Sequence, residues 1–260
     1  MKPNRLEQDG RVRGDDVIAG RNAVAEALKS GRPLEALYLA RGVHGGSLGT
    51  LTAKAREAGI PVKEADARKL DAMCGGAAHQ GVVAVASVKP YATLDDVFAL
   101  AESRGEPPFL IVADGLEDPH NLGSVLRVAE CAGVSGVIIA RHRAVSVNAV
   151  GKASAGAVEY VPVVRVNSLP TVLEELKKRG VWLYAADMDG EPWCTVDYAG
   201  PCAMVIGSEG FGVSRLVKEK CDFVISLPMK GKINSLNASV ACGIVCYEVL
   251  RQRAGIHSKR

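Results

Sequence analysis

Residues 223–250, FVISLPMKGKINSLNASVACGIVCYEVL, join two apolar segments of different period. FVISLP (223–228) is short and apolar and predicts a strand, whereas SLNASVACGIVCYEVLRQR (235–253) carries a long helical pattern. Between them MKGKINSLNAS (229–239) holds one glycine, two lysines, two serines and two asparagines. A strand passing into a helix through a loop is the repeating unit of an open α/β sheet. Why that loop carries so much hydrogen-bonding capacity is the question the rest of the chain has to answer.

The same alternation runs upstream. FLIVAD (109–114), VIIA (137–140), VPVVRV (161–166), VWLYAAD (181–187) and AMVIG (203–207) read as strands, with helices between most of them. Continuous apolar strands bounded by helices predict a parallel sheet covered on both faces, whose ligands bind beyond the carboxyl ends of the strands. Nearer the N-terminus, GRNAVAEALKSG (20–31), SLGTLTAKAREAG (47–59) and DARKLDAMCG (66–75) read as helices. LEALYLA (34–40), IPVKEA (60–65) and GVVAVASV (81–88) read as strands of a small α/β domain. The expected organisation is a flexible tail over 1–14, a first domain over 15–88, a linker with a short helix over 89–108, and a second domain over 109–260.

Composition narrows the class. With 260 residues, 48% of them hydrophobic and 23% charged, the chain has material for a core and does not resemble a disordered one. No apolar run reaches the roughly 20 residues needed to cross a bilayer, and the first residues lack the apolar stretch of a secretory signal, so a cytoplasmic protein without membrane association is expected. The 7 cysteines form no CxxC pair, which argues against a disulfide framework or a metal site; Cys242 and Cys246 are expected as buried thiols on one helix face. The net charge of +3 identifies no partner by itself, although residues 1–90 hold 14 basic against 10 acidic side chains. A GxGxxG turn after the first strand and a GxxxxGK[ST] loop are both absent, which disfavours a dinucleotide-dependent dehydrogenase and a P-loop nucleotidase.

Three loops at predicted carboxyl ends of strands stand out: DGLEDPHNLGSVLR (114–127), GSEGFGVSR (207–215) and PMKGKINSLNAS (228–239). Asn121 suits a helix cap, and Arg127, six residues further on in an apolar helical pattern, is placed to meet a phosphate. Glu209 lies among glycines, where a carboxylate can orient a cation or hold a neighbouring loop. Ser235 suits the cap of the last helix, with Asn237 and Ser239 bonding to nearby backbone. Composition and spacing thus give a polar ligand site without its chemistry.

Taken in order, DPHNLGSVLRVAECAG (118–133), VIGSEGFGVS (205–214) and ISLPMKGKINSLNASVA (225–241) resemble the three motifs of the SpoU family of RNA ribose 2'-O-methyltransferases. IAGRNAVAEAL and HQGVVAVAS are similar, less distinctly, to the N-terminal RNA-binding domain of bacterial members that act on large-subunit ribosomal RNA. The resemblance implies a C-terminal parallel-sheet α/β/α domain with a deep trefoil knot, and a small N-terminal α/β domain similar to a ribosomal protein fold. It also implies S-adenosylmethionine as cofactor, held by Gly207, Leu227 and Leu236 with Ile206, Ser208 and Met229. Arg127 is implied at the reacting hydroxyl and on the RNA, positioned by Asn121 and Glu209, while Ser235 and Asn237 orient the ribose. Arg21 is a further expected RNA contact, the expected assembly is a homodimer, and the substrate is most like a guanosine of 23S ribosomal RNA. Transfer RNA, a methylation conferring antibiotic resistance, and a non-catalytic ribosome-assembly role stay open as alternatives.

Overall fold

The computed structural model describes residues 17–42, 46–86, 90–142, 150 and 153–256; the tail expected over 1–14 lies outside them. The chain divides into two compact units, Met1–Lys89 and Pro90–Arg260.

In the first unit, strands β1 (Val17–Ala19), β2 (Leu34–Ala40), β3 (Val62–Ala65) and β4 (Val82–Ala86) form a sheet in the order β1-β4-β2-β3. β4 runs antiparallel to β1 and β2, and β2 is parallel to β3. Helices α1 (Arg21–Lys29), α2 (Gly46–Glu57) and α3 (Ala67–Met73) connect them. Leu37, Val82 and Ala84 of the sheet are buried with Val24 and Ala27 of α1 and Leu48 and Leu51 of α2. β1 has no counterpart in the sequence reading, because three residues are too few to show a period of two.

The second unit holds six parallel strands in the order β10-β8-β9-β5-β6-β7. They are β5 (Phe109–Asp114), β6 (Gly136–Ala140), β7 (Val163–Val166), β8 (Trp182–Pro192), β9 (Cys202–Gly207) and β10 (Phe223–Ser226). Alternate residues of β5 face opposite layers. Phe109, Ile111 and Ala113 pack with α5 (Pro119–Cys131) and α8 (Ala238–Arg253), while Leu110 and Val112 pack with α4 (Leu94–Arg104), α6 (Leu169–Lys178) and α7 (Arg215–Lys218). Thus α4, in the stretch expected as a linker, buries Val97 in the core of the second unit. Its start is fixed by a capping box in which Thr93 and Asp96 satisfy each other's backbone N–H.

Chain order reverses between β5 and β9: from β5 the strands run outward through β6 to β7, and β8, β9 and β10 fill the other side. The crevice at such a switch point is where an open α/β sheet takes its ligand. The loops after β5, β9 and β10 are the three with unusual composition.

Candidate active site

The first loop turns into α5 at Asp118, whose Oδ1 accepts the backbone N–H of His120 at 2.9 Å. Asn121 was the expected cap, but Pro119 presets helical φ and starts the helix three residues earlier, with Asp118 as the cap. Asn121 is therefore inside the first turn and buried. The second loop is a tight hairpin: Ser208 N–H donates to Gly212 O at 3.2 Å and Gly212 N–H to Ser208 O at 2.9 Å. Gly212 has a φ of +63°, which favours glycine. In the third loop the cap of α8 is Asn237 rather than the expected Ser235, its Oδ1 accepting the N–H of Ser239 at 2.9 Å and of Val240 at 3.3 Å.

These elements bring three side chains together. Asn237 Nδ2 donates to Asn121 Oδ1 at 2.9 Å and also to Glu209 Oε1, while Asn121 Nδ2 donates to the same Glu209 oxygen at 3.1 Å. One carboxylate oxygen thus ties the start of α5 to the start of α8, and Oε2 makes no hydrogen bond among the described residues. Arg127 does not join the cluster. Six residues along α5, or about 240° round the helix from Asn121, it is exposed and bonds to none of the three. The expectation that Asn121 and Glu209 position Arg127 is corrected: they bind each other and Asn237.

Beside the cluster is a cavity of about 310 Å³, at the lower end of the roughly 300–1,000 Å³ usual for small-molecule sites. Gly207, Leu227, Leu236, Ile206, Ser208 and Met229 all line it, as do Glu209 and Ser235. Ile206, Ile225 and Val245 supply apolar wall, while Ser208, Asn234 and Ser235 supply polar groups. Asn121, Asn237 and Arg127 are not among the lining residues. Sequence reasoning missed Asp187, Trp193 and Phe211 on the wall. Trp193 went unseen because VWLYAAD was read as ending at 187, whereas β8 continues to Pro192. Arg21 lies in the first unit, where its Nε donates to Gln80 O at 3.1 Å and its Nη1 to Ser47 Oγ at 3.2 Å.

An α/β domain with a mixed apolar and polar cavity at the carboxyl ends of its strands is suited to hold a small organic ligand. The chain belongs to the SpoU rRNA methylase family, whose description matches residues 108–247, and it is an RNA methyltransferase. A second description, RNA 2'-O ribose methyltransferase substrate binding, matches residues 17–92. A Bacillus subtilis protein assigned to the TrmH family of tRNA/rRNA methyltransferases is 48% identical, covering 92% of this chain and 96% of its own length. Among solved structures, the SpoU methyltransferase AviRb of Streptomyces viridochromogenes is 26% identical with a TM-score of 0.77, over 92% of this chain and 90% of that one. AviRb in complex with AdoMet gives a TM-score of 0.78 at 24% identity, over 95% and 99% of the two chains, a likeness of fold.

Proposed function

We propose that the protein transfers a methyl group from S-adenosylmethionine to a ribose 2'-hydroxyl of RNA, most like a guanosine of 23S ribosomal RNA. One observation carries the reading: the loops after β9 and β10 line one cavity at the carboxyl edge of the sheet, and the start of α5 is tied to both through the Asn121–Glu209–Asn237 cluster beside it. The fit supports the cofactor, since Leu227 and Leu236 offer apolar contact and the segment Ile206–Ser208 brings backbone to the wall. When bound, S-adenosylmethionine supplies an electrophilic methyl group. Ser235, on the cavity wall, orients the ribose hydroxyl, and Glu209 with Asn121 and Asn237 holds the loops that set its distance. Such positioning is worth up to about 7–11 kcal/mol of barrier.

Arg127 meets the RNA phosphate and stabilises the forming alkoxide. A guanidinium holds its proton too firmly to act as a base, so the proton leaves to phosphate or water. The exposure of Arg127 and its lack of a hydrogen-bond partner among the described residues suit a group that waits for substrate. Arg127→Ala is expected to abolish methyl transfer and to leave adenosylmethionine affinity nearly intact, measured by calorimetry beside a labelled-methyl assay; parallel loss of both contradicts the role. The first unit, with Arg21, selects the RNA.

Two further elements belong to the reading. Val240, Ile244 and Tyr247, spaced i, i+4, i+7 on α8, leave an apolar stripe exposed that suits a homodimer interface. The return of the chain from β10 past the loop after β9 into α8 suits a trefoil knot. Mapping ribose methylation in RNA from cells with and without the gene tests the target. Lost methylation in transfer RNA instead of 23S ribosomal RNA moves the substrate, and lost methylation in neither removes the proposal.

A further inference from the structure

Phe211 is at the tip of the hairpin after β9 and is 95% exposed. An aromatic ring held in water between Gly210 and Gly212, outside every hydrophobic cluster of the described residues, has no packing role to explain it. It borders both the cofactor cavity and an open surface hollow that also includes Asp187, Ser214, Arg215, Lys218 and Glu219.

The charges of that hollow are paired. Lys218 Nζ is 2.9 Å from Asp187 Oδ2, and Arg215 Nε donates to Glu219 Oε1 at 2.7 Å. Two cations and two carboxylates cancel, so the hollow lacks the net positive charge that a phosphate site needs. What remains is hydrogen-bonding capacity at the edge of an aromatic face. The terminal nitrogens of Arg215 make no hydrogen bond among the described residues, and Ser214 starts α7 without using its hydroxyl as a cap. An aromatic face with neutralised donors and acceptors around it matches an unstacked nucleobase, which offers a π-face and a polar edge.

We infer that the hollow is a base subsite: Phe211 stacks on a nucleobase flanking the methylated ribose, and Arg215 and Ser214 contact its edge. The inference rests on the proposed function and adds the feature that selects sequence around the target. Methyl transfer to unmodified transcripts of ribosomal and transfer RNA, with adenosylmethionine affinity measured in parallel by calorimetry, tests it. Phe211→Ala is expected to raise KM for RNA roughly five- to 150-fold, the span of one base–aromatic stack, well beyond any change in cofactor Kd, and Phe211→Tyr to restore KM. An unchanged KM in Phe211→Ala overturns the subsite while active wild-type protein leaves the proposed function standing. A rise matched by an equal loss of cofactor affinity also overturns it, since Phe211 then belongs to the cofactor cavity. Wild-type protein that methylates none of the transcripts defeats the proposed function, and the subsite with it.

Discussion

Gly207 sits where the fold leaves no room for a side chain. Its Cβ direction is filled by the chain itself: an added Cβ would lie 2.0 Å from the carbonyl carbon of Gly212 and 2.2 Å from Val213 N. Gly207→Ala therefore forces the hairpin away from β9. It is expected to cost about 1–3 kcal/mol in urea unfolding and to weaken adenosylmethionine binding, since Ser208, Glu209 and Phe211 move with the hairpin. Thiols follow burial in the same local way. Cys242 and Cys246 are fully buried with Sγ atoms 3.8 Å apart, and burial pushes Cys202 up to about 11 and Cys221 up to about 12. Because these folded values exceed the unfolded one of about 9, their stability contribution is complete below that pH and is lost as pH rises toward 11–12. Urea midpoints are expected to decline above pH 9, and Cys202→Ala to flatten the decline.

Elements were legible where pattern and length agreed. The apolar runs of β5 and β9 mark buried strands, that of β10 marks an edge strand in which only Ile225 is buried, and the glycine and proline of DGEP hid the end of β8. Gly190 survives inside that strand because its Cβ position is occupied by backbone of Val224 and Ile225, where the pairing with β10 shifts register. The cluster was legible in its members and illegible in its bonds: Asn121 is 88 residues from Glu209 and 116 from Asn237, distances over which no local spacing rule operates. α8 is anchored at both ends. Arg253, in its last turn, donates to the carbonyls of Pro107 at 2.8 Å, Gly200 at 2.7 Å and Pro108 and Tyr198 at 3.2 Å each, closing off the approaches to β5 and β9. Arg253→Ala leaves the carbonyls of Pro107, Tyr198 and Gly200 without this donor, while that of Pro108 keeps the N–H of Cys202. A loss of about 2–3 kcal/mol, or roughly 5–10 °C in Tm, is expected by calorimetry.

For the molecule as a whole, two units with separate cores imply separable tasks. All residues of the cavity and cluster belong to Pro90–Arg260, so that segment expressed alone is expected to bind adenosylmethionine as the full chain does, to lose the choice between RNAs that the first unit makes, and to keep the Phe211 subsite. A fragment that folds by circular dichroism and shows no uptake in calorimetry refutes this. Asn237 adds a property of the assembled site. The same side chain that receives the amides of Ser239 and Val240 also grips Glu209, so disturbing the cavity loosens the first turn of α8. Deuterium uptake at those two amides then becomes a built-in gauge of site closure, readable without RNA and without turnover.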